Sequence, residues 1–585
     1  MTPIYAHRFG SFSNQKRISV FFYTLILCLW AAVGANASTT IPASTLSSAH
    51  WTLAGSPYLI TGHIIVANND SLVIDSGVRV EFQGKYKLFC NGKILANGTA
   101  SQPILFTVPV ANHAIGWLGI RYDNTPTTNG RSYFKYCHLE YGHADVVGDN
   151  LGGAMYFNNY SNCEISNCSF QNNYATYGGA IRGQNSSPTI LRDSFNNNSS
   201  YAGGSCVELI SSSSTIDGCL FVDGGVYATY SSLSISNSHF LRCNGEGGIS
   251  SFAMSTPSFC QILNNVFDSC SQSNGSGGGA ILLLNTAARI EHNIFRNNVS
   301  PCGGGAISCC TQTAYSNTNN TVISNNLFYG NKAHISKISD PQFGGGAINF
   351  SNCSGTIMNN TIVNNYSDTA GGAIFCYNGS SPLFANNIIF DNSVNIGVEN
   401  IFIMDNPSDP DFYNNDIQGG FNGINTNGTP LVGANVNTIN LTPGFTNPSA
   451  NIYTLGAGSP GIDAGSTSGL SSVPALDLAG NPRITGAAID LGAYESAGST
   501  TGVNPLSTSS LRLVPNPTTN YFQIIGVDLN EIKSVQLLDI QGRQLAYNEN
   551  VAGNHFDLSN IPSGIFLVSC TYRNDQMVMM RIIKN

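Results

Sequence analysis

His143, Asp145 and Asp149 fall within one seven-residue run, His143-Ala-Asp145-Val-Val-Gly-Asp149. An imidazole and two carboxylates so spaced can carry a proton or offer hard oxygen ligands to calcium. A solvated loop is the plainer account of the same residues. Arg182 and Glu208, with Asp223, Arg242 and Glu246, are the densest charges further along. Arg182 and Glu208 stand at equivalent places in neighbouring repeats, so a cross-strand ion pair explains them without catalysis. Asp463, Asp477, Asp490 and Glu495 lie among Gly and Pro, where carboxylates commonly cap turns. No Walker, Rossmann or Cys/His zinc spacing occurs. The net charge of −9 offers no basic face to nucleic acid. Apart from calcium at the His143 loop, no metal or cofactor is expected.

The elements that must position these residues repeat. Gly152-Gly153-Ala154-Met155, Gly178-Gly179-Ala180-Ile181, Gly278-Gly279-Ala280-Ile281, Gly304-Gly305-Ala306-Ile307, Gly345-Gly346-Ala347-Ile348 and Gly371-Gly372-Ala373-Ile374 are copies of one signature. Adjacent copies lie about 26 residues apart, a period that means stacked repeats. Each is followed by an Asn-rich tag, such as Ile290-Glu-His-Asn-Ile-Phe295-Arg-Asn-Asn298. Aligned tags give a column of Phe170, Phe195, Phe221, Phe240, Phe267, Phe295, Phe328, Ile362 and Ile389. Three residues on comes a column of Asn173, Asn198, Asn298, Asn331, Asn365 and Asn392, with Cys243 and Cys270 substituting in the middle.

Short alternating runs broken by Gly and Asn suit strands, and no stretch suits a long amphipathic helix. Three short strands and three turns use up one repeat. The expectation is an all-β chain: a right-handed parallel β-helix, a three-sided solenoid, followed by a small Ig-like β-sandwich at the C-terminus. Inward Ile and Phe stacks make the core, and the Asn column forms a structural amide ladder at one turn. A β-sandwich would have no reason to repeat one residue at one place in every unit. Between Gly305 and Gly346 the spacing is too long, so 315–320 and 332–342 are expected to protrude as loops.

Arg8, Lys16 and Arg17, the apolar run from Val20 to Val33 and Ala35-Asn36-Ala37 form a signal peptide, with cleavage specified by Ala35 and Ala37. No transmembrane segment is expected after its removal. Fifteen cysteines then remain; most stand in repeat columns as small buried residues, and Cys302, Cys309 and Cys310 are the candidates for a local disulfide. The divisions read as 1–37 signal peptide, 38–150 N-terminal cap and first coils, 151–400 repeat coils, 401–495 closing segment, 496–510 linker and 511–585 a separate C-terminal module.

Leu72-Val-Ile-Asp-Ser-Gly77-Val-Arg-Val-Glu-Phe82 and its neighbours resemble the opening coils of bacterial β-helix proteins of the pectin-lyase-like fold. Gly458-Ser-Pro-Gly-Ile-Asp-Ala-Gly465 and Ile489-Asp-Leu-Gly-Ala-Tyr-Glu495 resemble their closing segment. The pectate lyases and polygalacturonases of that fold carry clustered Asp, Arg or Lys; the paired-Asp, Gly-His-Gly and Arg-x-Lys motifs are missing here. The module with Pro515, Asn516, Pro517, Asp539, Gly542, Gly564 and Lys584 is similar to the type A C-terminal sorting domain of the type IX secretion system of Bacteroidetes. That resemblance implies the type IX machinery as partner and a secreted or outer-surface location. The Gly-Gly-Ala-Ile and Phe-x-x-Asn pair also resembles the repeats of chlamydial polymorphic membrane proteins, which are β-helical adhesins. The function so implied is adhesion or glycan binding, with a glycan or a host or neighbour-cell surface as ligand. The alternatives are a polysaccharide lyase or glycoside hydrolase acting on acidic glycans, and a passive surface component. For an enzyme, His143, Asp145, Asp149, Arg182 and Glu208 are the catalytic candidates.

Overall fold

The computed structural model describes residues 38–496, apart from 254–257, 274, 276, 313–320, 335–343, 429 and 471, and residues 512–585, apart from 526–528, 540–543, 549–553 and 574–576. Ala35, Ala37, Gly542, the linker beyond Ser496, loop 315–320 and most of loop 332–342 lie outside the described residues. The chain forms two compact units divided between Gly498 and Ser499.

One coil of the first unit shows how the repeat folds. Met155–Asn158, Cys163–Ser166 and Ser169–Gln171 are its three strands, with alternate side chains buried. Each pairs in parallel with its counterpart one coil on. Stacking such coils gives three long sheets. The first runs from Thr39–Ile41 to Asp416–Ile417, the second from Ser44–Leu46 to Ile401–Ile403 and the third from Ala49–Trp51 to Asn435–Val436. The result is a three-sided parallel β-helix. Residues 39–51, expected as a cap, already form its first coil, because three short alternating runs are enough to pair with the strands that follow.

The columns are rungs. Ile281, Ile307, Ile348 and Ile374 pair in succession on the second sheet. Phe170, Phe195, Phe221, Phe240, Phe267, Phe295 and Phe328 stack inside the first sheet, ring centroids 4.7–4.9 Å apart and within 8° of parallel. That spacing is the strand repeat itself, so the rings sit offset at no cost to the backbone register.

Two corners are closed by amides. Leaving the first sheet, Asn298 Nδ2 donates to Asn331 Oδ1 at 2.8 Å, Asn331 to Asn365 at 2.8 Å and Asn365 to Asn392 at 2.9 Å. Each Oδ1 also accepts the backbone N–H of the preceding ladder residue, and each Nδ2 also reaches a main-chain carbonyl, as Asn331 does to Phe295 O at 3.0 Å. Asn173 and Asn198 form the same contact at 2.9 Å. A second ladder, Asn265, Asn293, Asn326, Asn360, Asn387 and Asn415, stands where the third sheet turns into the first, with links of 2.9–3.1 Å. Cys168, Asp193, Cys219 and Ser238 continue its column toward the N-terminus. In each Asn-Asn pair the first residue is left-handed, φ +53° at Asn325 and Asn359 and +56° at Asn386, and the second is the buried rung. Asparagine tolerates that conformation better than other side chains with a Cβ.

Residues 443–496 do not add coils. They return along the outside, covering Leu327, Val363, Ile388 and Phe390 on the outer face of the first sheet with Tyr453 and Leu491. The left-handed Asn side chains hold this return: Asn325 Nδ2 donates to Leu476 O at 2.7 Å and Asn359 Nδ2 to Asp490 O at 3.1 Å. Asp463, Asp477, Asp490 and Glu495 accept main-chain N–H groups within it, as turn-capping carboxylates do. The expected disulfide is corrected. Cys302, Cys309 and Cys310 are free thiols, and as strand neighbours Cys309 points into the core while Cys310 points out.

The second unit has two antiparallel sheets. Arg512–Val514, Tyr521–Ile525 and Phe556–Asp557 form one; Gln544–Asn548, Ile532–Leu538, Gly564–Tyr572 and Met577–Lys584 form the other. Phe522, Val535, Leu537, Phe566, Val568 and Ile582 fill the core.

Replacing Asn331 or Asn360 by Leu should cost about 1–3 kcal/mol for each main-chain or amide group left unsatisfied. Asn196→Leu, on an exposed strand position, should cost far less. Urea denaturation of the three variants checks this; equal midpoints would mean the ladders do not stabilise the fold.

Candidate functional site

Position follows from the repeat. The residue after the signature Ile points out of the second sheet, and the register brings Arg121, Tyr156, Arg182, Glu208 and Tyr227 into one row on successive strands. Between the first and second sheets the early coils add a short fourth strand. His143–Ala144, Tyr174–Tyr177 and Ser199–Ala202 pair there as a small parallel sheet. The predicted loop 143–149 thus begins as the first of these strands, and the five catalytic candidates fall into separate groups: His143 with Asp145, Asp149 with Arg121 and Lys87, and Arg182 with Glu208.

Their charges neutralise one another. Arg182 Nη1 donates to Glu208 Oε2 at 2.8 Å, and its guanidinium lies 4.9 Å from the Tyr177 ring centre. Arg121 Nε meets Asp149 Oδ1 at 3.3 Å, and Lys87 pairs with the other oxygen of Asp149. Lys85 pairs with Asp145, whose second oxygen lies 3.4 Å from His143 Nε2. Burial lowers the Arg121 pKa to about 10 against the opposing pull of Asp149. Burial also lowers His143, although Asp145 favours its charged form. At Asp145 burial acts upward, but Lys85 and His143 outweigh it and hold the carboxyl below its usual range.

Glu208 is the group whose protonation matters most. The residue is 3% exposed, and burial raises its pKa from 4.5 to about 7 despite the Arg182 charge. Gly203, at φ +75°, lies over it; a Cβ there would come 2.8 Å from Glu208 Oε1. The ion pair is therefore shut beneath the loop before the second sheet. Among the described residues no group of three or more His, Cys, Asp or Glu is arranged to hold a metal ion.

What lies open above the charges is aromatic. Tyr174 is half-buried with its ring edge-on to His143, Tyr177 is exposed, and Tyr201 is 82% exposed. Arg121 and these tyrosines were missed in the sequence. Arg121 follows Ile120 as Arg182 follows Ile181, so its row was legible, but its coil lacks the Gly-Gly-Ala signature.

In the second unit Asn516 follows Pro515 and precedes Pro517, and it ties its turn to the last strand. Its Nδ2 donates to Arg581 O at 2.7 Å and its Oδ1 accepts Ile583 N–H at 2.9 Å. Lys584 is buried and donates to Leu558 O at 2.7 Å and to Ile561 O. Gly564 opens a central strand, and Asp539 follows the strand beside it.

Comparison with known families agrees with this division. Residues 127–299 match the right handed beta helix region, 512–585 the secretion system C-terminal sorting domain and 294–310 the Chlamydia polymorphic membrane protein repeat. No curated protein matches the chain. The first unit is a right-handed parallel β-helix, and the second directs type IX secretion to the cell surface or outside. Among the described residues no helix is long and apolar enough to cross a membrane.

Two outcomes follow. Because the folded pKa of Glu208 is raised, its contribution to stability is complete below pH 4.5 and is lost as pH rises to about 7. The stability difference between the parent and Glu208→Gln, from urea midpoints at pH 5 and pH 8, should therefore shift against the parent at the higher pH; a constant difference would contradict the raised value. A chain ending at Gly498 should fold with the parent's circular dichroism yet remain in the periplasm, as read by fractionation. Surface delivery of that truncation would contradict the sorting role.

Proposed function

We propose that this exported β-helix is an adhesive, glycan-binding surface protein. The observation that carries the proposal is the small fourth sheet, which holds Tyr174, Tyr177 and Tyr201 outward on a rigid backbone. A tyrosine ring offers an apolar face to the C–H face of a sugar and a hydroxyl for hydrogen bonding, at small conformational cost. The Tyr174 ring stands beside His143, which with Asp145 and Lys85 supplies polar partners at that end. The family match of residues 294–310 to a repeat of chlamydial membrane proteins is consistent with this role.

Catalysis is the less favoured use of the same region. A carboxyl titrating near neutrality suits a general acid, but Glu208 is paired with Arg182 and roofed by Gly203.

The joint variant Tyr177→Ala/Tyr201→Ala should keep the parent's melting temperature and lose most of its binding on a glycan array and to glycan-coated cells. Unchanged binding by that variant would sink the proposal. Turnover of a bound polysaccharide, measured as new reducing ends or unsaturated uronate, would favour the enzyme instead.

A further inference from the structure

The returning segment builds a second feature on another face. Residues 466–470 and 472–475 stand beside the outer face of the third sheet. Asn386 holds them at one end, accepting Ser466 N–H at 2.9 Å and donating to Ser466 O at 2.8 Å. His292 Nε2 and Asn325 Nδ2 hold Leu476 O at the other end, at 2.8 and 2.7 Å. Between this wall and the sheet lie two hollows of about 500 and 130 Å³. They stand over neighbouring parts of one sheet, the smaller on Arg289, Glu291, Val322, Ser324 and Met358 and the larger on Leu383, Asp411 and Tyr413. With the last strand, Asn435–Val436, the floor is six strands long, roughly 24 Å at the strand repeat.

The smaller hollow contains polar groups that the protein leaves unmet. Glu291 is 2% exposed, and its Oε2 takes Arg289 Nη2 at 2.5 Å. Its Oε1 is buried without a hydrogen bond, with His292 Nδ1 too far away at 3.9 Å. Ser324 Oγ, one strand on, is likewise buried and unpartnered. Buried polar atoms are costly to leave so, and a carboxylate oxygen calls for a donor. The larger hollow is lined by the half-buried ring of Tyr413, by Asn414 and Asn437, and by serines of the wall.

We infer that this groove binds an extended neutral glycan. A sugar hydroxyl donates to Glu291 Oε1, another pairs with Ser324 Oγ, and a ring further along the chain lies on Tyr413. Arg289, the one cation among these floor residues, is taken by Glu291, and Asp411 adds a negative charge, so the floor offers a uronate carboxylate no free cation and the ligand is a neutral hexose or pentose polymer. Five of the six floor strands are already paired on both sides, and the edge strand, Asn435–Val436, is only two residues long, which leaves an extended peptide little edge to join. The groove is separate from the Tyr201 platform and stands or falls independently of it.

The test is calorimetric titration of the secreted full chain with soluble hexamers of glucose, mannose and xylose, set against a galacturonic acid hexamer. At least one neutral hexamer should bind and the galacturonate should not. Glu291→Gln and Tyr413→Ala should each weaken that binding tenfold or more. Tyr413→Ala, at a half-exposed position, should do so at the parent's melting temperature, while Tyr177→Ala/Tyr201→Ala should leave it intact. The inference is overturned if no neutral hexamer binds, if galacturonate binds more tightly, or if neither groove variant changes the affinity.

Discussion

Buried asparagine amides at two of the three corners are the constraint on which the rest of this molecule depends. A parallel solenoid can bond its strands on every side, but its corners turn the main chain inward and away from water. An amide side chain there accepts one neighbour's N–H groups with its oxygen and donates with its nitrogen to the next oxygen and to a carbonyl. Because asparagine does this in coil after coil, from Asn298 to Asn392 in one column and from Asn265 to Asn415 in the other, the bonds form columns that fix both corner geometry and coil register. The phenylalanine stack inside the first sheet then falls into line at the strand spacing. Neither column is stable alone, since each side chain is satisfied only by its neighbours above and below.

Once the corners are fixed, whatever a coil places just after its signature Ile must join a row on the second sheet. Where those residues are charged they meet, and the row becomes the Arg182–Glu208 pair. Short fourth strands cover this row and lift tyrosines to the surface. The left-handed residues that precede ladder asparagines do comparable work at the other corner. Their amides point outward and bind the returning chain, which turns a plain face of the solenoid into a walled groove. Both surface features therefore derive from what the ladders impose.

The legibility of the sequence follows the same line. The Ile, Phe and first Asn columns could be read because one residue recurs at one place. The second ladder was harder: Asn325 and Asn326 look alike in sequence and both are buried, yet one is a left-handed turn residue whose amide meets the returning chain and the other is a ladder rung. Cys168, Asp193, Cys219 and Ser238 blur the same column further. The return of residues 443–496 left no periodic trace, since its contacts join positions as distant as His292 and Leu476. Among the candidate site residues, Arg182 and Glu208 could be paired from the repeat. Arg121 was obscured because its coil lacks the Gly-Gly-Ala signature, and the tyrosine platform because a fourth strand of two to four residues has no alternation long enough to recognise.

The most direct test is of the ladders themselves. With asparagine side chains labelled with ¹⁵N, hydrogen exchange of the Nδ2 protons can be followed by NMR in the folded chain. The ladder account predicts a distinct set of side-chain amides, those of the two columns, exchanging orders of magnitude more slowly than the exposed asparagines and losing protection together on unfolding. If every asparagine side chain exchanged at the rate of a solvated amide, the corners would not be held by buried ladders and the account would fail.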